Sequence, residues 1–251
     1  MDHSEYIRIL PKADIAVLFI HGICGTPNHF RSILPLEEMV PKDWSVHNLV
    51  LDGHCAAVED FAHSSMQKWK RQARQAFSEL AATHDQVILV SHSMGTLFSI
   101  EMSLEFPEKI PLLFLINVPL RIGLRLFGVR NLLRLAFGRL DFSDPVQAST
   151  AQVTGTKMTK KLWRFVPWLP RMLELLREMG RTRRILDQIQ VPCVAFQSEK
   201  DELVSNRSHR ILEKCGRVEV HNLLRSTHFY YSPEDTAAVR AAFRKACEHY
   251  Q

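Results

Sequence analysis

The sequence predicts an α/β protein with a mostly parallel central sheet flanked by helices, and three observations carry that prediction. Short apolar runs recur along the chain, stretches of helical period separate them, and the runs themselves show little polar alternation. A strand that is apolar throughout is covered on both faces, as the strands of parallel sheets are. Strand, helix, strand in repetition is the pattern of an open α/β fold, whose ligands sit beyond the carboxyl ends of the strands.

The elements follow in order. Ile15 to Ile20 is the first buried strand, ended by His21-Gly22, and Val46 to Leu51 is the second, closed by Asp52-Gly53. From Met66 to Leu80, the residues Met66, Trp69, Ala73, Ala76, Phe77 and Leu80 fall on one helical stripe. Lys68, Lys70, Arg71 and Arg74 avoid its centre, as expected of a helix lying on a sheet. Gln86 to Val90 is a third strand and feeds a helix from Gly95 to Phe106. Pro111 to Val118 is a fourth strand, Cys193 to Gln197 and Val218 to His221 supply two more, and Asp235 to His249 is a closing helix. Residues 119–190 break the alternation, with helical pieces interrupted by Gly128, Gly138, Pro145, Pro167 and Pro170. A structureless loop of that length is improbable in a compact domain, so a helical insertion is expected there. Residues 1–118 and 191–251 then form one core.

The 251 residues, 46% hydrophobic and 24% charged, fit one globular α/β domain with room for such an insertion. No run approaches the ~20 apolar residues of a membrane-spanning helix. The polar start Met1-Asp2-His3-Ser4-Glu5 does not read as a signal peptide, which makes a cytoplasmic location the expectation. Five scattered cysteines, never spaced as CxxC, argue against a disulfide framework and a zinc site. The net charge of +5 hides an asymmetry. Between Arg121 and Arg184 there are 14 Lys/Arg against 4 Asp/Glu, whereas the remainder carries 18 basic against 23 acidic residues.

The chemistry begins at Val87-Ile88-Leu89-Val90-Ser91-His92-Ser93-Met94-Gly95. A strand runs directly into a small-x-Ser-x-Gly pentapeptide and then into a helix. A serine hydroxyl is a weak nucleophile unless it is exposed, oriented and beside a base. A sharp strand-to-helix turn projects the side chain of Ser93 clear of the sheet and needs small neighbours so that strand and helix can approach. Here the chain resembles the α/β-hydrolase superfamily, and within it the carboxylesterase and monoacylglycerol-lipase-like members. The superfamily turn is G-x-S-x-G, so Ser91 departs at the first glycine.

His21-Gly22-Ile23-Cys24-Gly25-Thr26-Pro27 resembles the superfamily's HG-x-x-G loop. The resemblance implies an oxyanion hole from the backbone amides of Ile23 and Met94, where negative charge on a carbonyl oxygen is stabilised. Ser198-Glu199-Lys200-Asp201-Glu202-Leu203-Val204 is similar to the superfamily's G-x-x-D-x-x-V stretch and points to Asp201 as the acid, with Glu199 and Glu202 as competitors. His228, on a loop between the last strand and the last helix, is the expected base. The order Ser, acid, His matches this superfamily and not the two other common triad orders. Asp52-Gly53-His54-Cys55 resembles a further superfamily turn, with Cys55 in place of a glycine.

The resemblance also places 119–190 where the superfamily inserts its cap, between the sixth and seventh core strands. Val129, Leu132, Leu133, Ala136 and Phe137 form one helical face of it; Met172, Leu175, Leu176 and Met179 form another. Trp163, Phe165 and Trp168 lie between them and are candidates to contact substrate under an apolar roof. The implied reaction is hydrolysis of a small-molecule ester with an apolar acyl chain, without metal or organic cofactor. A thioesterase or amidase with the same triad, and a non-hydrolytic sensor of the same fold, are the rival readings. A haloalkane dehalogenase is disfavoured because that chemistry needs a carboxylate at position 93. The cationic insertion admits three readings: a solvated face, attraction to an anionic membrane surface, and preference for an acidic substrate; nucleic acid is the least expected partner.

Overall fold

Seven strands form one sheet in the computed structural model, which describes residues 3–251. Met1 and Asp2, part of the polar amino terminus read above, lie outside the described residues. The strands are β1 (Tyr6–Arg8), β2 (Ile15–Ile20), β3 (Ser45–Leu49), β4 (Gln86–His92), β5 (Leu113–Ile116), β6 (Cys193–Ser198) and β7 (Val218–Leu223). Their order across the sheet is β1-β3-β2-β4-β5-β6-β7, and every neighbouring pair is parallel except β1 with β3.

β2 shows why its sequence is apolar throughout. Its alternate residues Ala16, Leu18 and Ile20 enter the core on one face, while Ile15, Val17 and Phe19 enter the core on the other. The helices are α1 (Val58–His63), α2 (Met66–Ala81), α3 (Met94–Glu105), α4 (Leu126–Ala136), α5 (Pro145–Val153), α6 (Leu169–Ile185), α7 (Arg207–Lys214) and α8 (Pro233–Tyr250). α2 and α3 cover the first face with Trp69, Phe77 and Leu97; α8 covers the second with Val239 and Phe243. Caps fix the helix starts: the hydroxyl of Ser65 accepts from Lys68 N, that of Ser232 from Asp235 N, and the carboxylate of Asp144 from Val146 N.

The insertion follows the fifth strand rather than the expected sixth: between β5 and β6 the chain forms α4, α5, a 3-10 stretch (Leu162–Trp168) and α6, with no strand among them. α6 returns to the core: Met179 is buried, and Lys70 of α2 bridges Glu101 of α3 and Glu178 of α6.

The sequence reading differs from the structure at a few places. The apolar run 111–118 supplies only Leu113–Ile116, because Pro111 lacks an amide donor and Asn117 adopts a positive φ of 52°. Strand β1 and helices α1 and α7 were too short to show a period. The face read as Val129, Leu132, Leu133, Ala136 and Phe137 is split: Val129, Leu132 and Leu133 are exposed, Phe137 is half-buried, and Ala136 is buried, as is Gly128. All five cysteines are free. No described helix is long and apolar enough to cross a membrane.

Candidate active site

The carboxyl ends of β2, β4, β5, β6 and β7 converge, and the loops leaving them build the site. At the end of β4, Ser93 has φ 50° and ψ −123°, a left-handed conformation that costs a non-glycine residue energy. The surroundings hold it there. Ser93 N donates to Ile116 O at 2.9 Å, and both the amide and the hydroxyl of Thr96 donate to Ser93 O. Two glycines permit the close approach. A Cβ on Gly95 would lie 2.3 Å from Ile20 O, and one on Gly22 would lie 2.7 Å from the Cβ of Ser93. Ser91, where the superfamily has glycine, is tolerated as the fully buried register partner of Ile20 and Leu115.

Three side chains then meet. His228 Nε2 lies 3.1 Å from Ser93 Oγ, and His228 Nδ1 lies 2.7 Å from Asp201 Oδ2. The other carboxylate oxygen of Asp201 accepts from the amides of Leu203 (2.8 Å) and Val204 (2.7 Å). One oxygen thus locks the acid onto its own turn and leaves the second for the imidazole. This network assigns the His228 proton to Nδ1 and leaves Nε2 as an acceptor for the serine hydroxyl. Burial alone pushes His228 down; the Asp201 carboxylate, helped by Glu202, more than offsets it, and the imidazole titrates above its ordinary value.

Residues 11–230 match the family described as serine aminopeptidase, S33. The chain belongs to that family. Among curated relatives, the S33-family chain is 25% identical over 197 residues to a thermostable monoacylglycerol lipase of Bacillus sp. (strain H-257), covering 76% of this chain and 72% of the relative. A structure from the metagenome-derived lipolytic enzymes LipS and LipT aligns with a TM-score of 0.73 at 19% identity, over 97% of this chain and 98% of the other. A carboxylesterase structure from Nitrososphaera gargenis aligns with a TM-score of 0.69 at 14% identity, over 99% and 96%. At those identities the two structures share the fold, and that fold is the α/β-hydrolase one.

Further residues of this S33-family site hold the histidine loop by its backbone. His228 N donates to Glu202 Oε2 at 2.9 Å, and His228 O accepts from Asn117 Nδ2 at 3.3 Å and lies 3.2 Å from His92 Nε2. The side-chain oxygen of Asn117 accepts from Ser198 N, so one asparagine joins the end of β6 to the histidine loop. Glu202 is only 3% exposed, and burial raises its pKa against the opposing pull of His228. The sequence offers Glu202 only as a competitor of Asp201 and does not single out Asn117. The one signal for Asn117 was an asparagine ending an apolar strand, a residue type that tolerates positive φ.

The glycine loop after β2 is equally constrained. Leu51 N donates to His21 Nε2 (3.1 Å), which puts the His21 proton on Nδ1, where it donates to Gly22 O (2.8 Å). Burial drives the His21 pKa down to about 4. Gly25 N closes the turn onto Gly22 O, with Cys24 at φ 57°. Ile23 stands in this turn, and Met94 is the first residue of α3, whose leading amides have no intrahelical partner. His29 and His92 stack at 3.7 Å and, with His54, are pushed well below the ordinary histidine value by burial. Burial also raises the Cys24 thiol to about 12 and the Cys55 thiol to about 11, which keeps both protonated and unreactive.

The three aromatic residues of the insertion separate. Trp168 packs on Phe61 of α1 at 4.2 Å and donates its indole N–H to Val58 O. Phe165 packs edge-on against Trp168, and Trp163 is 67% exposed. None of them shares a ring contact or hydrogen bond with Ser93 or His228 among the described residues. No group of His, Cys, Asp and Glu among the described residues is arranged to hold a metal ion.

Proposed function

We propose that this chain hydrolyses carboxylic esters through an acyl-enzyme on Ser93, with His228 as general base and Asp201 as the acid that orients it. The observation that carries this reading is the unbroken line from Asp201 through His228 to Ser93, at 2.7 and 3.1 Å, on a strained strand-to-helix turn. His228 Nε2 takes the proton of Ser93 as Oγ attacks the ester carbonyl. The C–O π pair moves to oxygen, and the oxyanion is met by the amides of Ile23 and Met94, a contribution of about 3 kcal/mol per donor in comparable sites. The imidazolium, balanced by Asp201, returns the proton to the departing alcohol. Water then repeats the sequence on the acyl-serine.

Residues 119–190 are the cap in this reading, and the relatives that act as lipase and carboxylesterase support an ester with an apolar acyl chain. Phe165 and Trp163 are the cap side chains proposed to meet that chain. Trp168, already anchored on α1, acts through Phe165.

Hydrolysis of p-nitrophenyl esters of increasing acyl length, beside acyl thioesters and anilides, tests the proposal. Ser93→Ala is expected to lower kcat by roughly 10⁴–10⁶ on the preferred class. Equal rates for the parent and Ser93→Ala would overturn it, and thioester or anilide preference would move the substrate class.

A further inference from the structure

Helix α4, which packs against Glu202 of the acid loop, is built inside out. Of the 17 large hydrophobic side chains exposed among the described residues, 14 lie between Ile122 and Leu176, so the apolar surface of this protein is concentrated on the insertion. α4 is the extreme case. Leu126 is 90% exposed, and Phe127, Val129, Leu132 and Leu133 are exposed with it, while Gly128 and Ala136 are buried. The reason lies at Gly128, where a Cβ would stand 2.7 Å from the Cβ and Cγ of Glu202. The helix approaches the core through its smallest residue and turns its large ones outward, the reverse of a helix lying on a core.

The outward face also has a charge pattern. Leu126, Val129 and Leu133 are spaced i, i+3, i+7 and share one stripe. Arg130 and Arg134, four residues apart, run beside it, and no Asp or Glu occurs from 122 to 140. Arg130, Arg139, Lys157, Lys160 and Lys161 form no ion pair among the described residues, whereas Arg171 and Arg181, on α6, are paired with Glu174 and Glu101. Arg130 on α4 and Arg139 just beyond it thus stand without a carboxylate, while Arg134 feels only Asp141, past the end of the helix.

We propose that α4 docks this protein onto an anionic lipid surface, lying in the interface with its leucine stripe at the acyl boundary and its arginines among the phosphates. Charge decides between occupants. A second copy would bring the same cationic segment against itself, with no acid on α4 to receive an arginine. A polyanion such as nucleic acid would answer the arginines and leave the leucines in water. An anionic bilayer answers both. With 11 residues the helix is too short to span a bilayer and lies along it.

The docking surface is joined to the site. Gly123 N donates to Leu203 O, Arg125 N to Glu202 O and Ser205 N to Arg121 O, each at 2.9 Å. The approach to α4 and the loop carrying Asp201 are therefore one hydrogen-bonded unit. That the surface supplies lipid ester to Ser93 rests on the hydrolase reading above; the docking itself does not.

The test uses full-length Ser93→Ala protein, which spares the lipid, co-sedimented with vesicles of phosphatidylcholine with and without phosphatidylglycerol. Binding to the anionic vesicles is expected, about tenfold or more weaker on neutral vesicles, and weakened as much by Leu126→Ser with Leu133→Ser, or by Arg130→Glu with Arg134→Glu. With Ser93 intact, both double variants should hydrolyse a short soluble ester at the parent rate, which shows that they fold. Equal binding to neutral and anionic vesicles, or undiminished binding by both variants, overturns the proposal. So does a stable dimer that the leucine substitutions dissociate. Vesicle binding by a protein without esterase activity supports the docking and sinks the hydrolase reading alone.

Discussion

The strand-end site and the inserted helices obey opposite rules. The side-chain polar atoms of Ser93, Asp201 and His228 all have partners, the three residues are at most 5% exposed, and glycines occur where backbones touch. In the insertion, large apolar side chains face outward, and Arg130 and Arg139 form no ion pair among the described residues. The first region is organised to hold atoms still; the second is organised to present a surface. The difference teaches that exposure of a leucine in this chain marks its job rather than a flaw in its core.

The largest expected effect belongs to the rigid region. Asp201→Asn keeps the shape but removes the charge that fixes the His228 tautomer. We expect kcat on the preferred ester to fall about 10³–10⁴-fold, with the melting temperature within a few degrees of the parent. A fall of less than tenfold would return the acid role to Glu202. Next in size is a matched pair of helix leucines. Leu97→Ala on α3, at a fully buried position, should cost about 2–5 kcal/mol in urea unfolding, and Leu126→Ala on α4 less than about 0.5. Similar costs at the two sites would erase the contrast between the regions.

How much of this was legible in the sequence differs between the same two regions. The elbow at Ser93, the glycine loop at His21-Gly22 and the loop at Asp201 are legible as short motifs at the ends of apolar runs, whereas His228, past the half-polar β7, is legible only from chain order and resemblance. The backbone latch of Asn117 was not legible, since its partners Ser198 and His228 lie 81 and 111 residues away. Nor was the outward turn of α4. Periodicity reports that Leu126, Val129 and Leu133 share a stripe but not which way it faces. That direction is set by Gly128 against Glu202, a contact between distant segments.

Smaller effects sharpen the picture of the site floor. His21, His29, His54 and His92 are held neutral by burial, so the unfolded chain binds more protons than the folded one in mildly acidic solution. Stability should therefore fall as pH drops below about 6.5, the ordinary histidine value. For His21 that loss runs down to about pH 4. Urea midpoints that do not change between pH 7 and 5 would contradict it. Smallest is Glu202→Gln. Glutamine keeps an acceptor for His228 N but removes a negative charge that raises the His228 pKa. The acidic limb of kcat/KM should move to lower pH by less than about one unit, while Glu202→Ala, which drops the acceptor as well, should also lower kcat.

One feature of the topology governs when this chemistry can exist at all. Ser93 and His228 are separated by 135 residues, and the histidine follows β7, the strand at the outer edge of the sheet. During synthesis Ser93 emerges more than half a chain length before His228, the base of the proposed mechanism. A nascent chain that has already folded β2 through β5 thus carries an inert alcohol. Only when the last strand docks, and Asn117 catches the loop behind it, does that alcohol gain a partner. The order of the chain therefore ties the proposed reactive pair to its last strand: Ser93 and His228 lie on loops that meet only across the completed sheet.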